Sequence, residues 1–336
     1  MTHRVDVEVS ILIVSYNAEA FLRDCLDSIA SARHTDASWE VVIVDNASDA
    51  ATRRLVESHP AVQQRILLPL NVGFAAAVNL AARSATGRNL LLLNPDTHLY
   101  PGTIEAALSR LHEHPDIGVL GGRTLYPDGR VDPASCWGAP SLWSHVSFAL
   151  GLSALLPNSV IANPEEIGGW DRSTFREVGV VTGCFLLISR ELWDRLGGFD
   201  ETFFMYGEDA DLTIRARALG YRPSIEPTAV LTHSKGASSS SAAAKSILLY
   251  RGKVSIVKRH MTRPRRWLCL ISLYVGVAVR AGASRITASG MVYRHLWEKR
   301  HDWLGGWEAQ PRVSLDGRSH PDRDTGDGGL NAGTEP

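Results

Sequence analysis

The amino-acid sequence predicts an α/β protein with a doubly wound, mostly parallel mixed sheet. Segments rich in β-branched residues alternate with segments of helical periodicity along the first third of the chain. Polar residues directly follow several of the predicted strands. Hydrophobic residues make up 44% of the 336 residues and charged residues 21%, so the chain can bury a full core.

The strands of the N-terminal part are the clearest elements. Residues Val9–Ser15 and Glu40–Asp45 form nearly continuous apolar runs, which are typical of strands buried on both faces of a parallel sheet. Further strands are predicted at 65–68, 89–93, 119–125, 178–189 and within 221–233, and helices at 20–30, 51–58, 74–84, 102–114, 191–196 and 209–219. In sheets of this kind, ligands bind beyond the carboxyl ends of the strands.

The composition of the chain changes towards its C-terminus. Residues 132–176 are rich in Pro, Gly, Ser and Trp and predict a loop-rich excursion with a short helix near 142–150. We expect an α/β domain over residues 1–237 and a basic helical extension over 238–304. The Gly-, Asp- and Pro-rich residues 305–336 predict a disordered tail.

Charge and cysteine usage exclude several classes of protein. The formal net charge is −1, so no global basic field attracts nucleic acid, and we expect no nucleic-acid partner. Cys25, Cys136, Cys184 and Cys269 form no C-x-x-C pair, which disfavours a zinc site and a disulfide framework. The longest apolar run, Trp267–Val279, is shorter than the roughly 20 residues of a membrane-spanning helix. These features predict a cytoplasmic protein, soluble or peripherally attached to a membrane.

Two carboxylates follow predicted strands. Asp45 precedes Asn46, and its carboxylate could accept hydrogen bonds from a nucleobase or a ribose, although Asp45 or Ser48 could instead cap the next helix. Asp96 ends Asn94-Pro95-Asp96, which could present an oxygen ligand to a hard divalent cation or could simply form a turn.

Three more carboxylates open the predicted helix at 209–219. The segment Gly207-Glu208-Asp209-Ala210-Asp211 places Glu208, Asp209 and Asp211 where a helix dipole stabilises negative charge. The aromatic residues before this segment would create a partly dry wall, against which a carboxylate can act as a general base. His233 follows a later strand and could be a metal ligand, although a lone histidine is more often a surface or core residue.

The order and spacing of these segments resemble family 2 glycosyltransferases of the GT-A fold. The resemblance runs from about residue 9 to 238 and is closest to the rhamnosyltransferase branch. It is carried by Val9–Asn17, Val42–Ser48, Asn71–Asn79, Leu91–Asp96, Thr182–Leu187, Gly197–Glu201, Phe204–Leu212, and His233 with Gly236 and Ser238.

The resemblance implies an inverting transfer of a sugar from a nucleotide-sugar donor, with dTDP-rhamnose as the expected donor. The acceptor would be a hydroxyl of a glycan or of a polyprenyl-diphosphate-linked sugar in cell-wall or surface polysaccharide synthesis. Asp209 would be the catalytic base and Glu208 its neighbour. The residues expected to bind the donor are Tyr16, Asn17, Asp45, Asn46, Asn71 and Asp96.

The resemblance also implies a metal, Mg²⁺ or Mn²⁺, held by Asp96 and His233. One position departs from the family pattern. Asn94 stands where the usual Asp-x-Asp motif has its first carboxylate, so one negative charge near the metal is missing. The donor pyrophosphate would then supply much of the coordination.

Basic residues surround the apolar run of the C-terminal extension. This pattern suits either the surface of an anionic membrane or a core helix with solvated flanks. In the first case, residues 251–285 would contact the inner face of the plasma membrane peripherally, and in the second they would pack on the sheet. The basic residues are Arg251, Lys253, Lys258, Arg259, His260, Arg263, Arg265, Arg266, Arg280 and Arg285.

The sequence also bears on functions other than sugar transfer. A dinucleotide oxidoreductase would need G-x-G-x-x-G after the first strand, where this chain has Ser15-Tyr16-Asn17-Ala18-Glu19, and no P-loop motif occurs. A transferase that uses a UDP-hexose donor and a catalytically inactive binding protein with the same fold both remain open.

Overall fold

The computed structural model describes residues 7–32, 38–234, 242–283 and 290–308, together with the short strands Arg312–Val313 and Ser319–His320. The predicted boundary between residues 237 and 238 lies outside the described residues. The tail predicted from residue 305 lies outside them as well, apart from 305–308 and the two short strands.

One large mixed sheet forms the centre of the α/β domain. Its strand order is β3-β2-β1-β4-β10-β6-β11-β5, with β8 paired to β11, and β7 and β9 form a separate small ladder. The strands are β1 (Val9–Ser15), β2 (Trp39–Asp45), β3 (Gln64–Leu67), β4 (Asn89–Leu93), β5 (Thr97–Leu99), β6 (Val119–Leu125), β7 (Cys136–Trp137), β8 (Arg176–Glu177), β9 (Val180–Val181), β10 (Phe185–Ser189) and β11 (Ser224–His233).

The helices follow the sequence prediction closely. The predicted helix over 74–84 has the same bounds in the structure, and the short helix expected near 142–150 is present. The helices are α1 (Glu19–Ser31), α2 (Ala50–Ser58), α3 (Phe74–Ser84), α4 (Thr103–Glu113), α5 (Leu142–Ala149), α6 (Leu152–Leu155), α7 (Arg190–Leu196), α8 (Glu208–Ala218), α9 (Ala242–His260), α10 (Arg263–Gly282), α11 (Gly290–Glu298) and α12 (Arg300–Leu304).

Both faces of the sheet are buried, as the continuous apolar strands predicted. Along β1, Ile11 and Ile13 pack into one hydrophobic cluster with α1 and α4. Leu12 and Val14 point to the other face and pack with α3, α7 and α8. Because successive side chains of a strand point to opposite faces, a run without polar residues is required where helices cover both.

One predicted strand is wrong in its extent. Residues 178–189 were expected to form a single strand, but the structure has β9 and β10 separated by Thr182-Gly183-Cys184. The backbone N–H of Thr182 donates to the Ser135 carbonyl at 3.2 Å, and that of Gly183 donates to the Asp209 carboxylate at 3.2 Å. These bonds take the segment out of the sheet and bring it to the beginning of α8.

The C-terminal helices build a second, smaller core. Val254, Leu273, Val277, Leu296 and Trp303 are buried together, with Phe148 of the excursion packed against them. This core therefore joins α9, α10, α11 and α12 to α5.

An ion pair joins the extension to the excursion. Lys253 of α9 lies 2.9 Å from the Glu165 carboxylate, which also accepts from Ser144 at 2.7 Å. Burial would raise the pKa of Glu165, but the charges of Lys253 and His145 and these hydrogen bonds lower it to about 2. Since the unfolded-state pKa is higher, this stabilisation is present at neutral pH and is lost only as the pH falls towards 2.

The contact between α10 and α5 depends on a glycine. A Cβ at Gly276 would lie 2.3 Å from the Phe148 ring, whereas a Cβ at Gly282, in the last position of the same helix, would meet nothing within 4 Å. We expect Gly276→Ala to lower the free energy of unfolding by about 1–3 kcal/mol through overpacking. Gly282→Ala is the matched control and should raise it by up to about 1 kcal/mol through helix propensity. Urea unfolding measures both, and an equal gain in the two variants would show that the helices do not pack closely at Gly276.

Candidate functional site

The ends of three neighbouring strands meet at one edge of the sheet. The strands β1, β2 and β4 are parallel, and their registers pair Ser15 with Asp45 and Ile13 with Leu93. The residues that follow the three strands therefore lie beside one another. The structure brings together the sequence-predicted groups at 16–17, 45–46 and 94–96.

Asp45 is fully buried at this edge. Neither of its carboxylate oxygens has a hydrogen-bond partner within the described part of the chain. Asp45 does not cap α2, because Asp49 does so by accepting from the Thr52 N–H at 2.8 Å. Buried polar groups are almost always paired in folded proteins, so an unpartnered buried carboxylate points to a donor group supplied by a ligand.

Tyr16 and Asn17 occupy the loop after β1. The Tyr16 side chain is 44% exposed, which leaves its ring accessible to a ligand. Asn17 has a positive φ of 52°, its N–H donates to the Ser48 hydroxyl, and its side-chain oxygen accepts from the Asp49 N–H at 2.7 Å. Asn17 thus ties this loop to the loop after β2, a role that the sequence did not indicate.

Asn46 and Asn71 hold a second loop of the site. The Asn46 amide donates to Asn71 Oδ1 at 3.0 Å and accepts from the Val72 N–H at 2.9 Å. Asn71 Oδ1 also accepts from the Gly73 N–H. These bonds fix the loop before α3 against the end of β2, so the two asparagines shape the wall of the site.

Asp96, His233 and Asp132 form a line of hydrogen-bonded groups. His233 Nε2 lies 3.1 Å from Asp96, and its Nδ1 lies 3.1 Å from Asp132, which is fully buried. Burial would lower the pKa of His233, but its contacts with the two carboxylates outweigh burial and raise the pKa to about 9. Sequence reasoning missed Asp132, because it follows the turn at 126–129 and stands in no motif.

The three acids of α8 have different surroundings. Glu208 is buried, and its Oε2 has no hydrogen-bond partner among the described residues. Asp209 accepts from the N–H groups of Gly183 at 3.2 Å and Ala210 at 2.7 Å. Asp211 pairs with Arg215 at 2.7 Å and with His260 at 2.8 Å. Asp211 is therefore a structural residue, and only Glu208 and Asp209 remain as reactive groups.

Burial perturbs the ionisation of the Glu208–Asp209 pair. It raises the pKa of Glu208 well above its usual range, and the negative charge of Asp209 raises it further. Burial also raises the pKa of Asp209, but less, because backbone hydrogen bonds stabilise its ionised form. Two backbone N–H groups stabilise the ionised form of Asp209, whereas Glu208 Oε2 accepts no hydrogen bond from the described residues.

Tyr206 lies just before the acids of α8. Burial raises the pKa of its phenol, and the negative charges of Glu208, Asp96 and Asp209 raise it further. The backbone of Tyr206 has a positive φ of 67°, and the next residue, Gly207, has one of 109°. Such a conformation is costly for a tyrosine, so neighbouring contacts must hold it.

The C-terminal extension supplies those contacts. A Cβ at Gly252 of α9 would lie 2.3 Å from the Tyr206 carbonyl, and the indole N–H of Trp307 donates to the same carbonyl at 3.4 Å. Trp307 also packs against Phe204, with ring centroids 6.0 Å apart. Arg259 pairs with Asp200 in the same loop. The sequence predicted a domain, an extension and a tail as separate parts, whereas residues of all three meet at the loop before α8.

The family of this chain follows from comparison with known proteins. The model of glycosyl transferase family 2 matches residues 10–197. The chain belongs to this family and is a glycosyltransferase. The matched range includes Asp45 and Asp96 but ends before Asp209 and His233.

Two relatives extend the match along the chain. An N-acetylglucosaminyl-diphospho-decaprenol L-rhamnosyltransferase of Mycobacterium tuberculosis is 31% identical over 247 residues, which cover 67% of this chain and 75% of that protein. The O-antigen biosynthesis protein RfbC of Myxococcus xanthus is 29% identical over 246 residues, which cover 69% of this chain but 18% of that protein. The predicted resemblance to the rhamnosyltransferase branch is confirmed.

Solved structures confirm the predicted GT-A fold. The mannosyltransferase PcManGT from Pyrobaculum calidifontis, in complex with GDP-Man and Mn²⁺, superposes with a TM-score of 0.55 at 19% identity, covering 90% of this chain and 86% of that one. S. aureus TarS in complex with UDP-GlcNAc has a TM-score of 0.55 at 17% identity, covering 89% of this chain and 79% of that one. At these identities the likeness concerns the fold alone.

Asp96 and His233 are the side chains that could hold a divalent metal. Within the described ranges, no group of three or more His, Cys, Asp or Glu side chains is arranged to hold a metal. Asp96 and His233 nevertheless offer an oxygen and a nitrogen 3.1 Å apart, and Asp132 holds the other ring nitrogen, as outer-shell carboxylates do at metal-binding histidines. The site fits a cation that obtains most of its ligands from a bound diphosphate.

Asp45 and Asp132, both fully buried, provide a matched test of the site. Neither carboxylate oxygen of Asp45 has a hydrogen-bond partner among the described residues, so Asp45→Asn removes a buried unsatisfied carboxylate and should raise the free energy of unfolding by about 1–3 kcal/mol. Asp132 accepts from the Ala134 N–H and contacts His233, so Asp132→Asn should lower it by about 1–3 kcal/mol. Urea unfolding of both variants checks the opposite signs. A loss of stability in Asp45→Asn would show that the Asp45 carboxylate is satisfied in the free protein.

Proposed function

We propose that this glycosyltransferase moves L-rhamnose from dTDP-rhamnose, with inversion, to a hydroxyl of a glycan or of a polyprenyl-diphosphate-linked sugar. The product would enter cell-wall or surface polysaccharide synthesis in the cytoplasm. One observation carries the proposal. The Gly183 N–H donates to the Asp209 carboxylate at 3.2 Å and the Asn94 N–H donates to the Cys184 carbonyl at 3.2 Å, so the segment 183–184 joins the candidate base to the strand end that carries Asp96.

The choice of sugar and acceptor is supported by the relatives. The mycobacterial relative is named as an L-rhamnosyltransferase acting on N-acetylglucosaminyl-diphospho-decaprenol, and RfbC is named for O-antigen biosynthesis. A UDP-hexose donor is the second candidate, because TarS with the same fold was solved with UDP-GlcNAc.

The nucleoside would occupy the strand ends. The unpartnered Asp45 carboxylate would accept hydrogen bonds from the base or the ribose, with Tyr16 exposed beside it. Asn17, Asn46 and Asn71 would keep the two surrounding loops in place. The energetic cost of the unpaired carboxylate in the free protein would be relieved when the donor binds.

The diphosphate would lie beside Asp96 and His233. Mg²⁺ or Mn²⁺ held by these two residues would neutralise the charge that develops on the leaving nucleoside diphosphate. Asp132 would keep the His233 ring in its orientation through Nδ1. PcManGT, which shares the fold, was solved with Mn²⁺, which supports a divalent cation here.

The chemistry is a single displacement. The Asp209 carboxylate removes the proton of the acceptor hydroxyl while the hydroxyl oxygen bonds to the anomeric carbon. The bond from that carbon to the diphosphate oxygen breaks on the opposite face, and its electron pair leaves with the nucleoside diphosphate. Backbone N–H groups of Gly183 and Ala210 orient Asp209 and stabilise its ionised form, so Asp209 rather than Glu208 acts as the base.

A donor screen tests this function. Release of nucleoside diphosphate from dTDP-, UDP- and GDP-sugars is measured with Mn²⁺ and a short polyprenyl-diphosphate-N-acetylglucosamine acceptor. We expect turnover with dTDP-rhamnose, and Asp96→Ala is the control that should lose the Mn²⁺-dependent part of donor binding in calorimetry. Turnover with a UDP-hexose but not with dTDP-rhamnose would show that the alternative donor is correct. Donor binding without transfer to any acceptor would identify an inactive binding protein.

Asp209→Asn tests the assignment of the base. The amide keeps the shape of the side chain but cannot take a proton, so turnover should fall about 10²–10⁴-fold while calorimetry shows unchanged donor affinity. Asp211→Asn is the matched control on the same helix, and its turnover should change far less because Asp211 is engaged by Arg215 and His260. Equal turnover in wild type and Asp209→Asn would remove Asp209 from the role of base.

A further inference from the structure

The exposed face of α10 is a feature that sugar transfer does not explain. Its buried face includes Cys269, Leu273 and Val277. The opposite face exposes a stripe of apolar side chains at helical spacing, and Trp267 is 67% exposed and Ile271 55% exposed. The stripe comprises Trp267, Leu268, Ile271, Val275 and Val279. At a rise of about 1.5 Å per residue it extends for roughly 18 Å.

A second group of exposed apolar residues is connected to the C-terminal part of α10 through Arg280. The segment 150–161 follows α5, which packs on α10 at Gly276, and the Arg280 guanidinium donates to the Phe148 carbonyl and the Ser153 hydroxyl. Leu155 and Ile161 are 75% and 70% exposed. The exposed apolar side chains of this segment are Leu150, Leu155, Leu156, Val160 and Ile161, and Trp143 joins them by donating to the Ile161 carbonyl at 2.7 Å. Exposed apolar patches of this kind mark interaction surfaces rather than solvated ones.

The charges beside the stripe of α10 are of one sign, whereas Glu165 and Glu166 follow the segment 150–161. No Asp, Glu, Lys or Arg occurs from Pro133 to Pro164, and none occurs from Trp267 to Val279. Between Glu226 and Glu298 the sequence contains twelve Lys and Arg residues and no Asp or Glu, although the whole chain has a net charge of −1. Arg263 and Arg265 are exposed at the N-terminal end of α10, immediately before the stripe. The partner of this face must therefore be apolar in its interior and negatively charged at its surface.

We propose that the exposed stripe of α10 and the segment 150–161 together form a docking surface for an anionic lipid bilayer. None of the described helices combines the length and the apolar character needed to cross a membrane. The helix instead lies in the plane of the headgroups, with its apolar stripe among the acyl chains and its arginines at the phosphates. The sequence pattern left such contact open for residues 251–285, and the structure adds the segment 150–161 and selects one face of α10. This proposal does not depend on the identity of the donor or on the catalytic residues.

Vesicle sedimentation of the full-length protein tests the surface. We expect binding to vesicles of equal parts phosphatidylcholine and phosphatidylglycerol, and much weaker binding to phosphatidylcholine alone. Ile271→Glu combined with Val275→Glu should abolish binding to both kinds of vesicle, because it places charges among the acyl chains. Leu219→Glu is the matched control, since Leu219 is an exposed leucine at the end of α8, and it should bind like wild type.

A second pair of variants tests the electrostatic contribution to vesicle binding. Arg263→Gln combined with Arg265→Gln should lower the partition coefficient on anionic vesicles roughly 10- to 30-fold, while Arg23→Gln combined with Arg54→Gln, at exposed arginines of α1 and α2, should leave it unchanged. Circular dichroism confirms that each variant is folded. Binding that neither the glutamate nor the glutamine variants of α10 reduce would overturn the proposal. A second result would also overturn the proposal. If the wild-type protein does not bind vesicles but dimerises in solution, and Ile271→Glu with Val275→Glu abolishes the dimer, the face joins two copies of this chain.

Discussion

The burial of carboxylates without matching cations is the constraint on which the site depends. Parallel strands end at one edge of the sheet and place Asp45 there, fully buried and without a partner in the described part of the chain. The beginning of α8 adds Glu208 and Asp209, whose pKa values burial raises. A fold tolerates such groups only where their function requires them, because each lowers the stability of the free protein.

The surrounding contacts keep these acids apart and oriented. The break between β9 and β10 supplies the Gly183 N–H to Asp209, and Asp132 holds His233 towards Asp96. The positive φ of Tyr206, just before α8, is held by contacts of its carbonyl with Gly252 and Trp307 from the C-terminal part of the chain. The C-terminal extension therefore contributes to the site, because its contacts hold the loop that contains Tyr206.

Much of the fold could be predicted from the sequence, because its signals are local. The apolar run of β1 and the periodicity of α3 each specify an element within a few residues. The motif carboxylates Asp45, Asp96 and Asp209 could be located because they follow strands or open a helix. The structure places them at the same edge of the domain.

The remaining features depend on contacts between residues far apart in the sequence. Asp132 meets His233 across 101 positions, and neither stands in a motif that indicates the other. The strand expected over 178–189 breaks because Gly183 finds a partner on α8 rather than in the sheet. Asn46 and Asn71 were predicted to bind the donor, and the structure shows them bonded to each other. A polar residue at a strand end indicates a site, but only the fold determines which polar groups are hydrogen-bonded within the protein and which remain available to a ligand.

The anomeric configuration of the product tests the account most directly. Nuclear magnetic resonance of the glycoside formed by the wild-type protein compares the configuration of the transferred sugar with that in its nucleotide donor. A single displacement with Asp209 as base predicts that the configuration is inverted. Retention of configuration would contradict the account. It would require either a second displacement or attack by the acceptor on the anomeric carbon from the same face that the diphosphate leaves.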